Sequence, residues 1–320
     1  MSHKIYKIFI DGRAGTTGLR LAERLRARPD VELIEIGEAK RKDLEARLER
    51  VSGADISLLC LPDDESREIV AAVGEGCRII DCSTAHRAES GWAYGLPEIE
   101  RIDKECIRVA NPGCHATGFI LSVRPLVNTG ILDAAAHLCF FSLTGYSGGG
   151  KPMIAIYEAD DTKREGSLRA PRQYAPGQDH KHLPEMRKYS GLDAAPIFSP
   201  IVCDFYSGML VCVPLYRGAL RRSASIGNIR EVLAEYYAKS PLVKVRDQGA
   251  EFSETNGEGF LSAAAFAGRD DVEIFVTGKN ERIEIISRYD NLGKGASGAA
   301  IQNMNLMLGL PEETGLVFGN

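Results

Sequence analysis

Near the end of the first third of the chain, Asn111, Pro112 and Gly113 lead directly into Cys114 and His115, and the apolar-periodic stretch HATGFILSVRPL follows. A thiol at the start of a helix is favoured as thiolate by the unpaired N–H groups there, and the thiolate is the nucleophilic form. Cys114 therefore has the placement of an acyl acceptor, although a small structural cysteine after a turn has the same local pattern. His115 fits a surface residue at a helix start or a base equally well. Further along, PGQDHKHLPEM supplies His180 and His182 ahead of Pro184, a residue suited to the first turn of a short helix. Such a histidine can serve as acid or base beside Cys114. No third ligand stands out that would make the pair a metal site.

A second group of residues has the chemistry of anion binding. In DGRAGTTG, Gly12, Gly15 and Gly18 lie between an apolar strand and a helix. This spacing lets the backbone turn tightly and aim a helix N-terminus at a pyrophosphate. Glu38, near the end of the next strand, suits ribose hydroxyls, whereas Lys40, Arg41 and Lys42 just behind it suit a 2′-phosphate, so NAD and NADP both remain open. Ser83, Thr84, His86 and Arg87 follow the fourth strand, at the sheet edge where open α/β folds bind ligands, and can hold a phosphate. The stretch TGYSGGGK is expected to be a flexible loop carrying Lys151.

The elements that must position these groups follow from periodicity. Strands KIYKIFI, VELIEIG, DISLLCLP and CRIIDC alternate with helices GLRLAERLRARP, DLEARLERV and DESREIVAAVG, which predicts a parallel doubly wound sheet. Beyond the cysteine turn the strands lengthen and read as antiparallel: AHLCFFSLTGY, APIFSPIVC, GMLVCVPLY, VEIFVTG and RIEIISRY, with the helix IREVLAEYYAKS among them. The fold class expected is α/β, a Rossmann sheet plus an α+β domain. The division expected is 1–113 and 114–291, with a terminal helix over 292–310 returning to the first domain.

At 320 residues the chain exceeds the roughly 250–300 at which single cores stop growing. With 44% hydrophobic and 26% charged residues and a formal charge of -5, it has a globular composition and lacks the basic excess of a nucleic-acid binder. No apolar run reaches membrane-span length and no leader pattern is evident, so a cytoplasmic location is expected. Of the eight cysteines, all but Cys114 read as reduced, buried small hydrophobes, and no CxxC pair is present.

Taken in order, GRAGTTG, LCLPDDES, DCSTAHR, YGLPE, NPGCHATG, TGYSGGGK, HKHLPE and DNLGKGASGAA resemble the shorter form of the N-acetyl-gamma-glutamyl-phosphate reductases along essentially the whole chain. The resemblance implies NADPH-dependent reduction of that acyl phosphate to N-acetylglutamate semialdehyde and phosphate, in arginine biosynthesis. It also implies a catalytic domain like that of glyceraldehyde-3-phosphate and aspartate-semialdehyde dehydrogenases, in a homo-oligomer, dimer or tetramer. By the same resemblance Cys114 is the nucleophile and the HKHLPE histidines include the acid/base; the residues leave His180 and His182 both open for it, with His182 favoured and His180 placed nearer the cofactor. Gly12, Arg13, Gly15, Thr16, Thr17, Gly18, Lys40, Arg41, Pro62 and Asn291 fall to the cofactor. Ser83, Thr84, His86, Arg87, Asn111 and Glu185 fall to substrate and phosphate, with no metal. The motifs leave open a reductase of aspartyl or amino-adipyl phosphate, a cysteine hydrolase, and an inactive nucleotide-binding protein.

Overall fold

The computed structural model describes residues 4–160, 164–221, 224–247 and 259–319. They form two compact units, residues 1–112 with 296–316 and residues 113–295 with 317–320.

The first unit is built on strands β1 (Tyr6–Asp11), β2 (Val31–Ile34), β3 (Ile56–Leu59), β4 (Ile79–Asp81), β5 (Ala93–Tyr94) and β6 (Arg108–Ala110). Helices α1 (Thr16–Arg26), α2 (Leu44–Gly53) and α3 (Asp63–Ala72) connect them. All pairings are parallel, in the order β2-β1-β3-β4-β6-β5, so the direction of winding reverses between β1 and β3. This is the doubly wound α/β sheet expected. Side chains alternate across it: Ile8, Ile10, Ile56 and Leu58 pack on one face with Leu21 and Leu25 of α1, while Phe9, Leu59 and Ile79 pack on the other with Val51 and Ile69. The helices begin where the chemistry favours it. Asp43 caps α2 by accepting from the Ala46 N–H at 2.8 Å, and α3 opens with Asp63, Asp64 and Glu65 against its positive end.

The second unit opens with α4 (Cys114–Asn128) and continues through β7 (Cys139–Gly145), α5 (Gly150–Tyr157), β8 (Arg172–Gln173), α6 (Leu183–Ser190), β9 (Ile197–Cys203) and β10 (Met209–Tyr216). It closes with α7 (Ile226–Tyr236), β11 (Val243–Val245), β12 (Val272–Lys279) and β13 (Arg282–Tyr289). The seven strands run β11-β12-β13-β10-β7-β9-β8, with α4 and α7 on the sheet. Phe119 of α4 packs on Phe140, which stacks on Phe198 with ring centroids 4.5 Å apart.

Three expectations are corrected here. The sheet of the second unit is mixed, since β7 pairs with β9 and β11 with β12 in parallel, the former because a long connection containing α5 and α6 returns the chain in the same direction. The glycines of TGYSGGGK are not a plain loop, because α5 begins at Gly150 and includes Lys151. All eight cysteines are free, as expected, but only Cys203 and Cys212 are buried; Cys139 is exposed and the rest are half-buried. Beyond a π-helical turn at Gly293–Ser297, α8 (Gly298–Leu308) belongs to the first unit, where Ala300, Ile301, Met304 and Met307 join Ile8 and Ile80 in the core.

Met304 is fully buried in that cluster. Met304→Ala is expected to cost about 3 kcal/mol, read as a lower denaturant midpoint of the first unit; an unchanged midpoint would contradict the packing of α8.

Candidate active site

The glycine turn follows β1 directly. Gly12 has a positive φ of 79°, and a Cβ there would lie 2.1 Å from the Cys60 carbonyl oxygen, so only glycine fits. At Gly18 a Cβ would lie 2.6 Å from the Gly12 oxygen, which brings the start of α1 close against the turn. Gly15 caps α1 without a side-chain bond, Thr17 lies in the first turn, and the buried Thr16 Oγ1 has no hydrogen-bond partner. An unsatisfied buried hydroxyl beside the open N–H groups of a helix start is a seat for an anionic group. A dinucleotide pyrophosphate fits it.

Behind the turn, Arg13 donates to Glu35 Oε1 at 2.6 Å, and the bond and charge of Arg13 hold that carboxyl below its ordinary range. Glu35, the first residue after β2, was not singled out from the sequence; the position after that strand was the signal. Glu38, expected near the strand end, instead lies in a separate 3-10 turn, exposed and paired with Arg41 at 3.1 Å. Lys40 and Arg41 are exposed, and Pro62 caps α3.

The loop after β4 is organised by Asp81, which is fully buried. Its carboxylate accepts from Ser66 Oγ at 2.8 Å, Ser83 N–H at 2.9 Å and Ser83 Oγ at 2.7 Å, and lies 2.6 Å from His86 Nδ1. Burial alone would raise its pKa, but the bonds from His86, Ser83 and Ser66 outweigh it and hold the carboxyl below its ordinary value. His86 also stacks on Trp92. Thr84 bonds Asp63 through N–H and hydroxyl, and the buried Arg87 donates to the carbonyls of Asn111 and Cys82. Asn111 donates to Ala296 O and accepts from Asn303. The residues expected as open phosphate donors are thus bonded within their own unit: Ser83 and His86 to Asp81, Thr84 to Asp63 and Arg87 to backbone carbonyls.

In the second unit Cys114 is the first residue of α4, half-buried, with Gly113 as extended N-cap. The Gly113 N–H donates to Glu185 Oε2 at 3.1 Å, and Glu185, on α6, is 1% exposed. Gly295 lies so near that its Cβ would stand 2.8 Å from Cys114 Cβ. Tyr289, at the end of β13, donates its hydroxyl to the Cys114 carbonyl at 2.5 Å and accepts from the Gly118 N–H at 3.0 Å. Asn291 is buried, accepting from Gly208 N–H and donating to Ser147 Oγ.

His115 is buried, not a surface residue. Its Nδ1 lies 2.7 Å from Ser142 Oγ and its Nε2 lies 2.6 Å from the Tyr174 hydroxyl. Burial, and next the charge of His180, pushes its pKa down to about 3, so the ring is neutral. His180 and His182 complete the cluster: each ring centroid lies 5.6 Å from that of His115, and the two lie 4.6 Å from each other. His180 sits ahead of α6 and His182 caps it, as the position of Pro184 predicts. Tyr174 is held as a phenol by burial and by the nearby Cys114. Neither Tyr174 nor Tyr289 was singled out from the sequence. Among the described residues no His, Cys, Asp and Glu cluster fit for a metal occurs, and no helix is long and apolar enough to cross a membrane.

Residues 7–105 match a family model described as semialdehyde dehydrogenase, NAD binding domain, and residues 114–291 one described as semialdehyde dehydrogenase, dimerisation domain. The chain is 44% identical over 322 residues to N-acetyl-gamma-glutamyl-phosphate reductase 2 of Nostoc sp., covering 97% of this chain and 99% of that protein. It is 44% identical over 311 residues to the N-acetyl-gamma-glutamyl-phosphate reductase of Sinorhizobium medicae, covering 94% and 98%. In fold it is similar to aspartate semialdehyde dehydrogenase II of Vibrio cholerae complexed with ASA, with a TM-score of 0.70 at 16% identity, covering 95% of this chain and 98% of that one. The aspartate semialdehyde dehydrogenase of Candida albicans with NADP is similar at a TM-score of 0.68 and 16% identity, covering 96% and 99%.

Because His115 titrates near 6.5 when unfolded and near 3 when folded, the unfolded chain binds the extra proton between those values. The neutral ring's contribution is complete above pH 6.5 and is lost as pH falls, by up to about 1.4 kcal/mol per unit. Denaturation midpoints followed from neutral pH into the acid range are expected to fall less steeply in His115→Asn than in the parent. Equal slopes would contradict a buried neutral ring.

Proposed function

The chain belongs to the semialdehyde dehydrogenase family, alongside the N-acetyl-gamma-glutamyl-phosphate reductases, and from that premise we propose that it makes N-acetylglutamate 5-semialdehyde and phosphate from N-acetyl-gamma-glutamyl phosphate and NADPH, through a thioester on Cys114. The reaction is a step of arginine biosynthesis. The observation that carries the mechanism is Cys114 at the first position of α4, with its N-cap tied to Glu185 and the His115, His180, His182 cluster beginning at the next residue.

The Cys114 thiolate attacks the acyl carbon, the bond to the phosphate oxygen breaks, and phosphate leaves with the electron pair. Bound NADPH supplies the hydride that reduces the thioester. His182, with His180 beside it, supplies the proton to the developing alkoxide and takes it back when the C–S bond breaks, which releases the aldehyde and restores the thiolate. N–H groups in the first turn of α4 stabilise the negative oxygen. Covalent attachment keeps the acyl carbon in place between the two half-reactions.

Gly12, Gly15, Thr16, Thr17 and Gly18 would hold the dinucleotide, supported by the unsatisfied Thr16 hydroxyl and the glycine geometry. NADP is preferred over NAD in this reading: Arg13 of the glycine turn reaches Glu35 just after β2, Lys40 and Arg41 follow that strand, and a 2′-phosphate would compete with Glu35 and Glu38 for the two arginines. Pro62 and Asn291 complete the proposed cofactor contacts. Departing phosphate is assigned to Ser83, Thr84, His86 and Arg87, with Asn111 and Glu185 toward the substrate; phosphate reaching that loop must exchange with bonds to Asp81 and Asp63. A cytoplasmic homo-oligomer fits the free cysteines and the dimerisation description of residues 114–291.

The purified protein with N-acetylglutamate semialdehyde, phosphate and NADP is expected to form NADPH in a phosphate-dependent manner, and aspartate semialdehyde in its place is expected to give none. Cys114→Ser should lower the rate at least about 1,000-fold while NADP binds as before. A wild-type rate from that variant would overturn the thioester route, and turnover of aspartate semialdehyde alone would reassign the substrate.

A further inference from the structure

In a regular α-helix the carbonyl of residue i pairs with the N–H of residue i+4. At the head of α4 those two groups are Cys114 C=O and Gly118 N–H, and the Tyr289 hydroxyl bonds both, donating to the first and accepting from the second. The sequence makes room for it. A Cβ on residue 118 would lie 2.7 Å from both Tyr289 Oη and Cε1 and 2.9 Å from Val211 Cγ2, so glycine is required where α4 meets β10 and β13. Tyr289 is fully buried, and burial, with the adjacent Cys114, keeps it protonated. One turn further along, Ser122 Oγ donates to Gly118 O and lies 2.8 Å from Ser287 Oγ, so β13 contacts the helix at two successive levels. Only the first reaches the cysteine.

We propose that Tyr289 is a positioning residue for Cys114, its hydroxyl bridging the carbonyl and N–H of the first turn of α4 so as to fix the direction of the thiol and of the N–H groups around it. The proposal rests on the reading of Cys114 as nucleophile. The O–H dipole points its positive end at the Cys114 peptide, which favours negative charge at that helix start. Without the hydroxyl the first turn loses its tie to β13, and the N–H groups lose the orientation that serves the thiolate. The titratable groups around Cys114 in this unit include Tyr174, Tyr289, His115, His180, His182 and Glu185, with the buried Asp290 and Lys294 in the segment that brings Gly295 against it, so its titration must be read at Cys114 itself.

The experiment uses the full-length protein and follows alkylation by iodoacetamide from about pH 5 to about pH 10, with peptide mass spectrometry resolving Cys114 from the other seven cysteines. In Tyr289→Phe the Cys114 midpoint is expected to rise by about half a unit or more, and kcat to fall about tenfold with KM within about twofold. Ser287→Ala, which loses the second contact only, is expected to be less stable with a wild-type midpoint. A wild-type midpoint in Tyr289→Phe, or an equal shift in Ser287→Ala, would overturn the proposal. If Tyr289→Phe fails to fold, Gly118→Ala displaces the same hydroxyl from the helix side, and an unshifted midpoint there has the same force. Should the midpoint move as expected while Cys114→Ser retains turnover, the nucleophile assignment falls and the hold of Tyr289 on the thiol stands.

Discussion

A thiol at a helix start is useful to an acyl transfer only while that first turn is held still. Here it is held from three sides: Glu185 accepts the Gly113 N–H, Tyr289 bonds the Cys114 carbonyl, and Gly295 lies against the Cys114 side chain. Each neutral hydrogen bond contributes only about 1 kcal/mol net, but leaving a buried partner unsatisfied costs more, so the arrangement is self-enforcing. Much of the second unit follows from it. β13 must end at the helix head to deliver Tyr289, and α6 must pack on α4 to deliver Glu185.

The same logic governs the first unit at a different group. Asp81 is a buried carboxylate at the carboxyl end of β4, and an ionised carboxylate there is tolerable only with a full set of donors. Ser66, Ser83 and His86 supply them and thereby fold the polar loop onto the sheet edge. On the other side of the sheet order's reversal, Gly12 and Gly18 bring the turn close to backbone, while Thr16 keeps an unanswered hydroxyl. One edge is closed by its own carboxylate and the other is left with donors for an anion.

The doubly wound sheet was legible because Ile8, Ile10, Ile56 and Leu58 come in short apolar runs between amphipathic helices, a local pattern. The placement of Cys114 was legible for the same reason: turn, thiol and helix are consecutive. Contacts made across the chain were not. Tyr289 lies 171 residues from Gly118, and nothing in RIEIISRY distinguishes a tyrosine that bonds the backbone of a helix from one that only packs beside it. The burial of His115 depends on Ser142 and Tyr174, neither of them its sequence neighbour. The parallel pairing of β7 with β9 was hidden because strand patterns carry no direction, and the role of Asp81 was hidden because a carboxylate at a strand end reads the same whether or not donors converge on it.

The covalent step can be observed without reduction. Protein mixed with N-acetyl-gamma-glutamyl phosphate in the absence of NADPH, quenched in acid and digested, is expected to carry an N-acetylglutamyl group on the peptide containing Cys114, with phosphate released in equal amount. Loss of that group on treatment with hydroxylamine would identify it as a thioester. Phosphate release with Cys114 unmodified, or an acyl group found on another residue, would contradict the central role given to this cysteine.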